Sequence, residues 1–501
     1  MITTTDPRTG QSRDTELTAT SPEEIAAITA AAAEAFVAFR ALPRDRRAGL
    51  LDAMAEALDA AKAELVEVAM SETGLPQARL ETEVTRSAFQ FRMFAEVVRD
   101  GAYLEAAVDH AAATPMGPGP DLRRMLLPLG PVAVFGSSNF PFAFSVVGGD
   151  TASALAAGCP VVLKAHGSHP LTSAASFSVL QGAADAQGAP DGLLGIVYGL
   201  EAGKTLVADP VITAVGFTGS LGAAQSLMGI IDGRDEPIPF YGELSSVNPL
   251  VVTPGAARER ADAIADGLFA SFTGSAGQLC TKPGVAFVPR EAQSLVDELV
   301  GRTQAAIAQP LLNDRILSSF GQIRERLVEE GRAEVLATGS LDAEGFATAP
   351  TILRIDAADL SPAATEEAFG PLIVLAVYDD PAQIPAALQT VPKSLTGTIH
   401  SQPDETALRD ELVAALGERA GRLVFDGYPT GVRVAWAQHH GGPWPATNTQ
   451  HTSVGVTAIR RWLRPFAWQD APVDVLPQEL HDDYRGILRR VDGRLELPET
   501  A

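Results

Sequence analysis

The sequence predicts an α/β protein with two lobes, each organised around an open parallel sheet. Three observations favour this fold class. The chain has 501 residues, too many for one compact core, so two or three sub-domains are expected. From Pro131 onward short apolar runs alternate with segments of helical spacing, and a second such run begins near residue 258. Strands that alternate with helices pair in parallel through right-handed crossovers.

The first hundred residues are predicted to be mainly helical. Residues 22–100 place apolar and charged side chains at helical spacing. The SPEE segment at 21–24 is the pattern of a helix N-cap followed by proline and two acids. Residues 105–130 lose this spacing, and MGPGP at 116–120 predicts a turn between extended segments.

The first lobe then alternates strands and helices. The predicted strands are VAVFG after Pro131, PVVLK ending at Lys164, GLLGIVYG at 192–199, VITAVGFTGS at 211–220 and PLVVT at 249–253. The predicted helices are 145–158, 171–187, 201–209 and 221–231. Ligands of such sheets bind beyond the carboxyl ends of the strands.

The second lobe repeats the alternation without an intervening linker. Its predicted helices are 258–272, 291–308, 319–330, 382–390 and 404–415. Its predicted extended segments are GVAFVP at 284–289, 349–354, 372–378 and RLVFDG at 422–427. Because no linker separates the lobes, we expect them to share an interface, and Glu243 and Cys280 fall at it.

Composition excludes several classes of protein. A net charge of −24 argues against nucleic-acid binding, which needs a basic surface. The two cysteines, Cys159 and Cys280, cannot form a disulfide framework, so a reducing compartment is expected. Residues 125–149 carry no charge, but their prolines and glycines would break a spanning helix. The N-terminus lacks the pattern of a signal peptide, and we expect a soluble cytoplasmic protein.

Cys280 and Glu243 are the candidate reactive pair. A thiolate attacks carbonyl carbons at neutral pH, and a carboxylate can activate the water that hydrolyses the resulting thioester. Taken alone, a free cysteine is more often a small buried apolar residue. The motifs around Cys280 change that interpretation.

Seven motifs stand in a fixed order, and each alone would be a weak signal. They are GSSNFPF at 136–142, VVLKAHGSHP at 161–170, PDGLLGIVYG at 190–199, GFTGS at 216–220, GELSSVNP at 242–249, GQLC at 277–280 and EEAFGP at 366–371. Together they make the chain resemble the aldehyde dehydrogenase superfamily over nearly its whole length. KAHGSHP, PIPFYGELSSVNP and HHGGPWPATNTQHTSVG at 439–455 make it most similar to the bacterial α-ketoglutaric semialdehyde (2,5-dioxopentanoate) dehydrogenases.

The resemblance implies an activity and its catalytic residues. The activity is NAD(P)-dependent oxidation of an aldehyde to an acid through a cysteine thiohemiacetal and thioester, with α-ketoglutaric semialdehyde as the expected substrate. Cys280 is the implied nucleophile and Glu243 the base that activates water. Asn139 and the Cys280 N–H are the implied oxyanion donors, and Phe140 is the implied wall of the substrate tunnel.

The resemblance also implies a cofactor site. Lys164 contacts the adenosine ribose, Gly219 and Ser220 open the helix that faces the pyrophosphate, and Glu367 and Phe369 position the nicotinamide end. No GxGxxG fingerprint is present, in agreement with this family.

Two departures from the family pattern affect the cofactor pocket. Many NAD-preferring relatives carry a glutamate where this chain has Gly167, and without that carboxylate NADP is tolerated and slightly favoured over NAD. Most relatives read ELGGK where this chain reads Glu243-Leu244-Ser245-Ser246-Val247, so the nicotinamide end of the pocket is expected to differ. His166 and His169 have the spacing of a metal pair, but no third ligand is apparent and no metal is expected.

The family pattern divides the chain into domains. Residues 1–104 and 128–242 are the expected dinucleotide-binding domain, and 243–455 the catalytic domain. Residues 105–127 and 456–501 are the expected small β oligomerisation element and C-terminal tail. A homodimer or homotetramer follows from closed symmetry.

Alternative functions stay open at this point. One is oxidation of an aliphatic or fatty aldehyde. An anionic substrate would need an arginine in the tunnel, and the sequence does not place one, although Arg92 and Arg433 are candidates. Another is a cysteine hydrolase, which needs a histidine partner for Cys280 that the sequence does not reveal. The third is a non-catalytic scaffold, against which the joint presence of Cys280, Glu243 and Asn139 speaks.

Overall fold

The computed structural model describes residues 1–499, and its centre is a five-stranded sheet, here the first sheet. Its strands, in spatial order, are Phe240–Glu243, Ala214–Thr218, Val132–Phe135, Val161–Lys164 and Leu194–Val197. All are parallel, and the first in chain order lies in the middle. This is the 3-2-1-4-5 order of a doubly wound nucleotide-binding sheet, read from the opposite edge.

The helices of the first sheet follow the predicted order with shifted ends. They are Gly149–Ala157, Pro170–Ala186, Leu200–Ala208 and Leu221–Asp232. The first begins at Gly149 instead of residue 145, because the preceding residues form turns. Ser145 N–H donates to the Phe142 carbonyl and Gly148 N–H to the Ser145 carbonyl. The irregular backbone between strand and helix carries Asn139 and Phe140.

A seven-stranded sheet, here the second sheet, organises the other lobe. Its strands, in spatial order, are Glu334–Thr338, Thr351–Asp356, Leu372–Tyr378, Val285–Pro289, Leu250–Val252, Ser394–His400 and Ala420–Phe425. Only the pairing of the first two is antiparallel. Its helices are Pro254–Glu259, Ala261–Thr273, Gln293–Ala305, Asp314–Glu329, Ile384–Leu388 and Thr406–Gly417. The predicted α/β fold with two parallel-sheet lobes is confirmed. The strand predicted at 249–253 for the first lobe is wrong in its place, because Leu250–Val252 pairs within the second sheet and Phe240–Glu243 is the edge strand of the first.

The predicted N-terminal helical region is four helices. They are Pro22–Arg40, Arg44–Ala60, Lys62–Thr73 and Gln77–Asp100. The predicted cap at residue 21 is a capping box, in which the Ser21 hydroxyl accepts from Glu24 N–H and the Glu24 carboxylate accepts from Ser21 N–H. The second and fourth helices start directly after Pro43 and Pro76, which end the segments before them.

A third sheet packs against the first lobe and is called the edge sheet. Its strands, in spatial order, are Leu463–Gln469, Leu122–Pro128, Ala107–Asp109, Arg489–Val491 and Arg494–Glu496. Trp462 fixes its first strand to the first lobe, because the indole N–H donates to the Ser153 hydroxyl at 2.8 Å and the ring is fully buried. Short antiparallel pairs complete the strands: Thr3–Asp6 with Gln11–Asp14, Ala112–Thr114 with Gly117–Gly119 and Gln309–Pro310 with Ala347–Thr348. Within residues 1–499, no helix is long and apolar enough to cross a membrane.

Candidate active site

The two lobes meet where Glu243 and Cys280 lie. Glu243 is the last residue of strand Phe240–Glu243 at one edge of the first sheet. Cys280 precedes strand Val285–Pro289 of the second sheet. The Glu243 carboxylate is almost fully buried, at 1 % exposure, whereas Cys280 keeps partial exposure. A solute can therefore reach the thiol more easily than the acid.

A histidine that the sequence did not reveal joins this pair. His440 Nε2 lies 2.8 Å from Glu243 Oε1 and 3.6 Å from Cys280 Sγ. The hydroxyl of Ser453 donates to Glu243 Oε2 at 2.6 Å. Both oxygens of the carboxylate thus have a partner, as a buried anion requires. His440 is itself fixed, because its backbone N–H donates to the Thr452 hydroxyl at 2.7 Å.

These contacts decide the protonation of Glu243. Burial by itself would raise the pKa of the carboxyl group. The charge interaction and hydrogen bond with His440, with further hydrogen bonds from Ser453 and Cys280, outweigh burial and lower the pKa to about 2. Glu243 is therefore an anion at neutral pH despite having almost no contact with solvent.

The same neighbourhood holds Cys280 as a thiol. Burial raises the pKa of Cys280 well above its usual value, and the charge of Glu243 and its hydrogen bond to the thiol raise it further. Arg86 acts in the opposite direction. In this arrangement the thiol needs a base to give up its proton, and the Glu243 carboxylate is the nearest anionic acceptor.

Asn139 lies beside the cysteine loop. Its side-chain Nδ2 donates to the Gln278 carbonyl at 2.9 Å, two residues before Cys280. A side-chain amide nitrogen carries two N–H groups, so one remains for a ligand. Arg79 holds the residue from behind, since its Nη2 donates to the Asn139 carbonyl at 2.6 Å.

Phe140 is half-buried and forms part of an aromatic wall next to Asn139. Its ring lies 5.2 Å from the ring of Phe144, which in turn lies 6.2 Å from the imidazole of His440. The guanidinium of Arg79 covers Phe140 at 5.0 Å. Phe144 therefore links Phe140 to the imidazole that lies beside Cys280.

The backbone before and after Cys280 is strongly constrained. Asn248 has a left-handed backbone and its Nδ2 donates to the carbonyls of Cys280 at 2.8 Å and Lys282 at 3.0 Å. Gly277 has φ of +67°, and a Cβ there would collide with the Gly370 carbonyl. Glycine is thus required at the start of GQLC both for its backbone conformation and for its close approach.

Lys164 lies at the carboxyl end of its strand, on the edge where a ligand of the first sheet would bind. Its ammonium donates to the Ala165 carbonyl at 2.9 Å. Burial and, to a smaller extent, the charge of Arg315 lower its pKa to about 8. Two cations therefore lie close together at this edge.

Gly219 and Ser220 lie at the carboxyl end of strand Ala214–Thr218 and are exposed. Ser220 caps helix Leu221–Asp232 by accepting from Ala223 N–H, and a Cβ built on Gly222 in the first turn meets no atom within 4 Å. This open helix N-terminus offers backbone donors and positive potential to a phosphate.

Glu367 lies beside Ser245 and Ser246, two of the residues that depart from the family pattern. Burial raises its pKa to about 7, although Lys282 and hydrogen bonds from Ser245 and the Ser246 N–H act in the opposite direction. The serine at 245 is thus a hydrogen-bond partner of Glu367. Phe369 is half-buried two residues further on.

The two histidines at 166 and 169 stack at 5.4 Å between ring centres. His169 is fully buried, with Nε2 2.8 Å from the Ser137 carbonyl oxygen and Nδ1 3.3 Å from the Ser173 hydroxyl. Both ring nitrogens of His169 are engaged, so its contacts are structural. Within residues 1–499 the one cluster with potential metal donors close together is Glu243, Cys280 and His440, within 4.8 Å of one another.

Sequence reasoning missed His440, Ser453 and Asn248. His440 and Ser453 both belong to the run at 439–455 that marks the narrower resemblance, and Asn248 belongs to GELSSVNP. These motifs were visible, but the chain separation of 197 residues between His440 and Glu243 conceals their contact.

Comparisons with known proteins identify the family of this chain. The family model described as "Aldehyde dehydrogenase family" matches residues 1–442. The chain is 41% identical over 476 residues to alpha-ketoglutaric semialdehyde dehydrogenase 2 of Azospirillum brasilense, covering 93% of this chain and 90% of that protein. It is 38% identical over 482 residues to alpha-ketoglutaric semialdehyde dehydrogenase of Acinetobacter baylyi, covering 94% of this chain and 91% of that protein.

A solved structure supports the same fold. The 1-pyrroline-5-carboxylate dehydrogenase from Thermus with bound NAD superposes with a TM-score of 0.79 at 21% identity, covering 93% of this chain and 89% of that one. Fold, motif order and family match agree over the length of the chain. The protein belongs to the aldehyde dehydrogenase family.

Proposed function

We propose that the protein oxidises α-ketoglutaric semialdehyde (2,5-dioxopentanoate) to 2-oxoglutarate with a nicotinamide cofactor, NADP being slightly favoured over NAD. The observation that carries the chemistry is the contact between an anionic Glu243 and the Cys280 thiol where the two lobes meet. The substrate rests on the names of the two relatives at 41% and 38% identity.

The residues at the carboxyl edge of the first sheet fit a dinucleotide. The open helix N-terminus after Ser220 suits a pyrophosphate, Lys164 a ribose, and Glu367 with Phe369 the nicotinamide end. Gly167 adds no negative charge, and the pair of cations Lys164 and Arg315 would attract a 2′-phosphate. The bound cofactor would supply the hydride acceptor.

In the first half-reaction the chain supplies a nucleophile and oxyanion donors. The Cys280 thiol gives its proton to the Glu243 carboxylate, and its sulfur forms a bond to the aldehyde carbon. The free N–H of the Asn139 amide and the Cys280 backbone N–H hold the resulting oxyanion. Loss of hydride from that carbon then leaves a thioester on Cys280.

Before the second half-reaction Glu243 releases to solvent the proton that it took from Cys280. It then takes a proton from water, whose oxygen attacks the thioester carbon. The carbon–sulfur bond breaks, Cys280 recovers its proton, and the acid leaves. His440 and Ser453 keep the carboxylate anionic and oriented between the two steps. In this assignment His440 is a positioning residue.

The hydrolase alternative gains a histidine but not the right geometry. In a cysteine–histidine–acid triad, the acid binds the ring nitrogen that faces away from the nucleophile. Here the same nitrogen, Nε2, faces both Glu243 and Cys280. The arrangement favours an acid that serves the cysteine directly, as aldehyde oxidation requires.

A panel of aldehydes assayed with both cofactors tests the substrate. We expect kcat/KM to be highest for 2,5-dioxopentanoate and at least about tenfold lower for hexanal, with NADP equal to NAD or better. A preference for hexanal would replace the proposed substrate by an aliphatic aldehyde within the same family.

Two variants test the catalytic roles. Cys280→Ala should abolish oxidation. Glu243→Ala removes the base of both half-reactions but also the charge that raises the pKa of Cys280, so acylation should be slowed less than hydrolysis and an acyl-enzyme should accumulate, detectable by mass spectrometry. Cys159→Ala is the control, because this buried thiol, whose pKa burial raises to about 11, lies in the first lobe against the Trp462 carbonyl. Normal turnover in either active-site variant would contradict the assignment.

A further inference from the structure

We propose that Arg86 binds the carboxylate of the substrate and so selects anionic aldehydes. This inference rests on the proposed function and names the residue that gives it specificity. Arg86 lies in helix Gln77–Asp100, outside every sequence motif discussed above.

Arg86 packs on the aromatic residues that lie beside the reactive groups. Its guanidinium covers the ring of Phe144 at 5.2 Å. The other neighbours of that ring are Phe140 at 5.2 Å and His440 at 6.2 Å, and His440 Nε2 is 3.6 Å from Cys280 Sγ. Arg86 is close enough to Cys280 and Glu243 for its charge to affect both groups. A short aldehyde that carries an anion at its far end could therefore touch Cys280 and Arg86 together.

Arg86 also lacks a partner of its own. Its Nε and Nη2 are buried and have no hydrogen-bond partner among residues 1–499. A buried cation without hydrogen bonds is costly, and burial lowers the pKa of this guanidinium. We expect a ligand to accept hydrogen bonds from these free N–H groups. The paired N–H groups of a guanidinium match the two oxygens of a carboxylate.

The nearest acid does not fill this role. Glu83 lies one turn before Arg86, but its Oε1 accepts the N–H groups of Phe142 at 2.8 Å and Ala143 at 3.0 Å. Its Oε2 also has no hydrogen-bond partner in the described part of the chain, and neither do Nε and Nη2 of Arg86. Glu83 therefore balances part of the charge while leaving the Arg86 donors free.

Other arginines are already engaged or point elsewhere. Arg79 donates to the Asn139 carbonyl, and Arg92 forms an ion pair with Asp59 at 2.7 Å. Arg433 is exposed. Arg422, whose charge also reaches Cys280, directs Nη1 and Nη2 to the carbonyls of Gly431 and Pro429. Of the two sequence candidates, Arg92 is excluded by its partner and Arg433 by its exposure.

The test compares Arg86→Met with Arg92→Met, a matched change on the same helix. Each is assayed with 2,5-dioxopentanoate and with pentanal, an uncharged aldehyde of the same carbon number. We expect Arg86→Met to lower kcat/KM for the anionic substrate about 10- to 100-fold, mainly by raising KM. This is the loss of affinity expected when a hydrogen bond between charged groups is removed. For pentanal the value should stay within about threefold, and Arg92→Met should change neither.

Stability measurements separate a binding role from a structural one. Removing an unpaired buried cation should leave the Tm of Arg86→Met equal to or above that of the wild type. The product 2-oxoglutarate should raise the Tm of the wild type and not that of the variant. If Arg86→Met does not fold, Arg86→Lys keeps the charge without the fork and should raise KM for the anionic substrate alone.

Failure of the Arg86 role and failure of the proposed substrate would give different results. Equal losses for both aldehydes, or a Tm that falls with an unchanged preference for the anion, would overturn the role of Arg86 while leaving the proposed function intact. A wild type that prefers pentanal would overturn the proposed substrate and the role of Arg86 with it.

Discussion

At the scale of single residues, Glu243 opposes the ionisation of Cys280, whereas the Cys280 thiol favours the ionisation of Glu243. The carboxylate raises the pKa of the thiol, and the thiol proton helps to keep the carboxylate an anion. A second anion next to Glu243 is unfavourable, so the protonated thiol is the resting state of this pair. The enzyme thereby limits unwanted oxidation of its nucleophile, because the thiolate is the form that oxidants attack.

His440→Gln tests how Glu243 is kept ionised. Removing the imidazole deletes the charge interaction and hydrogen bond that lower the pKa of Glu243, while burial continues to raise it. The pKa of Glu243 should therefore rise, and activity on the acidic side should be lost at a higher pH than in the wild type. The measurement is kcat against pH from 5 to 9.

The neighbouring His439→Gln serves as the control, because His439 is exposed and makes no contact with Glu243. If the loss of kcat at acidic pH occurs at the same pH in His440→Gln as in the wild type, groups other than His440 set the pKa of Glu243.

At the scale of elements, the buried apolar strands were predictable and a buried polar one was not. Strand Leu372–Tyr378 is buried along its whole length and reads as a continuous apolar run. Strand Ser394–His400 is equally buried but alternates Ser394, Thr396 and Thr398 with apolar residues or glycine. Asn248 accepts from both the N–H and the hydroxyl of Thr396. Because these partners come from a distant segment, the sequence around the strand does not reveal them.

The same reason explains which site residues could be predicted. Asn139, Lys164, Ser220 and Glu243 end or follow strands, so the rule for sheet edges and the family motifs both point to them. His440 and Arg86 come from an irregular segment and from a helix interior. Only the packing of these elements against the loop of Cys280 gives them a position in the site.

The GQLC loop offers a prediction at this scale. Gly277→Ala forces an L residue into φ of +67° and places a Cβ against the Gly370 carbonyl. We expect a loss of about 1–3 kcal/mol in the free energy of unfolding and a fall in kcat, because Cys280 lies three residues further on. Thermal unfolding and steady-state kinetics measure both effects.

Gly274→Ala is the matched control, since a Cβ at that position meets no atom within 4 Å and φ is −53°. Equal stability and activity for the two variants would show that the loop adapts and does not constrain the cysteine.

At the scale of the whole molecule, the edge sheet points to assembly. Strand Leu463–Gln469 is hydrogen-bonded on one side only and carries Phe466 at 38 % exposure, with Trp468 packed against it at 4.6 Å. An unpaired edge with apolar side chains is a natural surface for a second subunit. We propose that residues 105–127 and 456–501 form an oligomerisation element, joined to the two domains predicted from sequence.

Analytical ultracentrifugation tests this arrangement. The wild type should sediment as a dimer or tetramer of its 52.4 kDa chain. Phe466→Asp should shift the distribution toward smaller species, because a charge would be buried in the interface. Val37→Asp, at an exposed apolar position of the N-terminal helix, should not. A wild-type monomer, or identical masses for both variants, would contradict the proposal.

Residues 426–455 connect the last strand of the second sheet to the edge sheet without a helix or strand of their own. His440 and Ser453, which hold Glu243, both come from this segment. The scaffold that aligns the nucleophile and the segment that tunes the acid are thus encoded in separate stretches of the gene. Random mutagenesis confined to the codons of 426–455 should therefore alter reactivity. Changes at Asn448, which is hydrogen-bonded to the backbone of Phe240 and Gly242, should also loosen the strand that ends at Glu243.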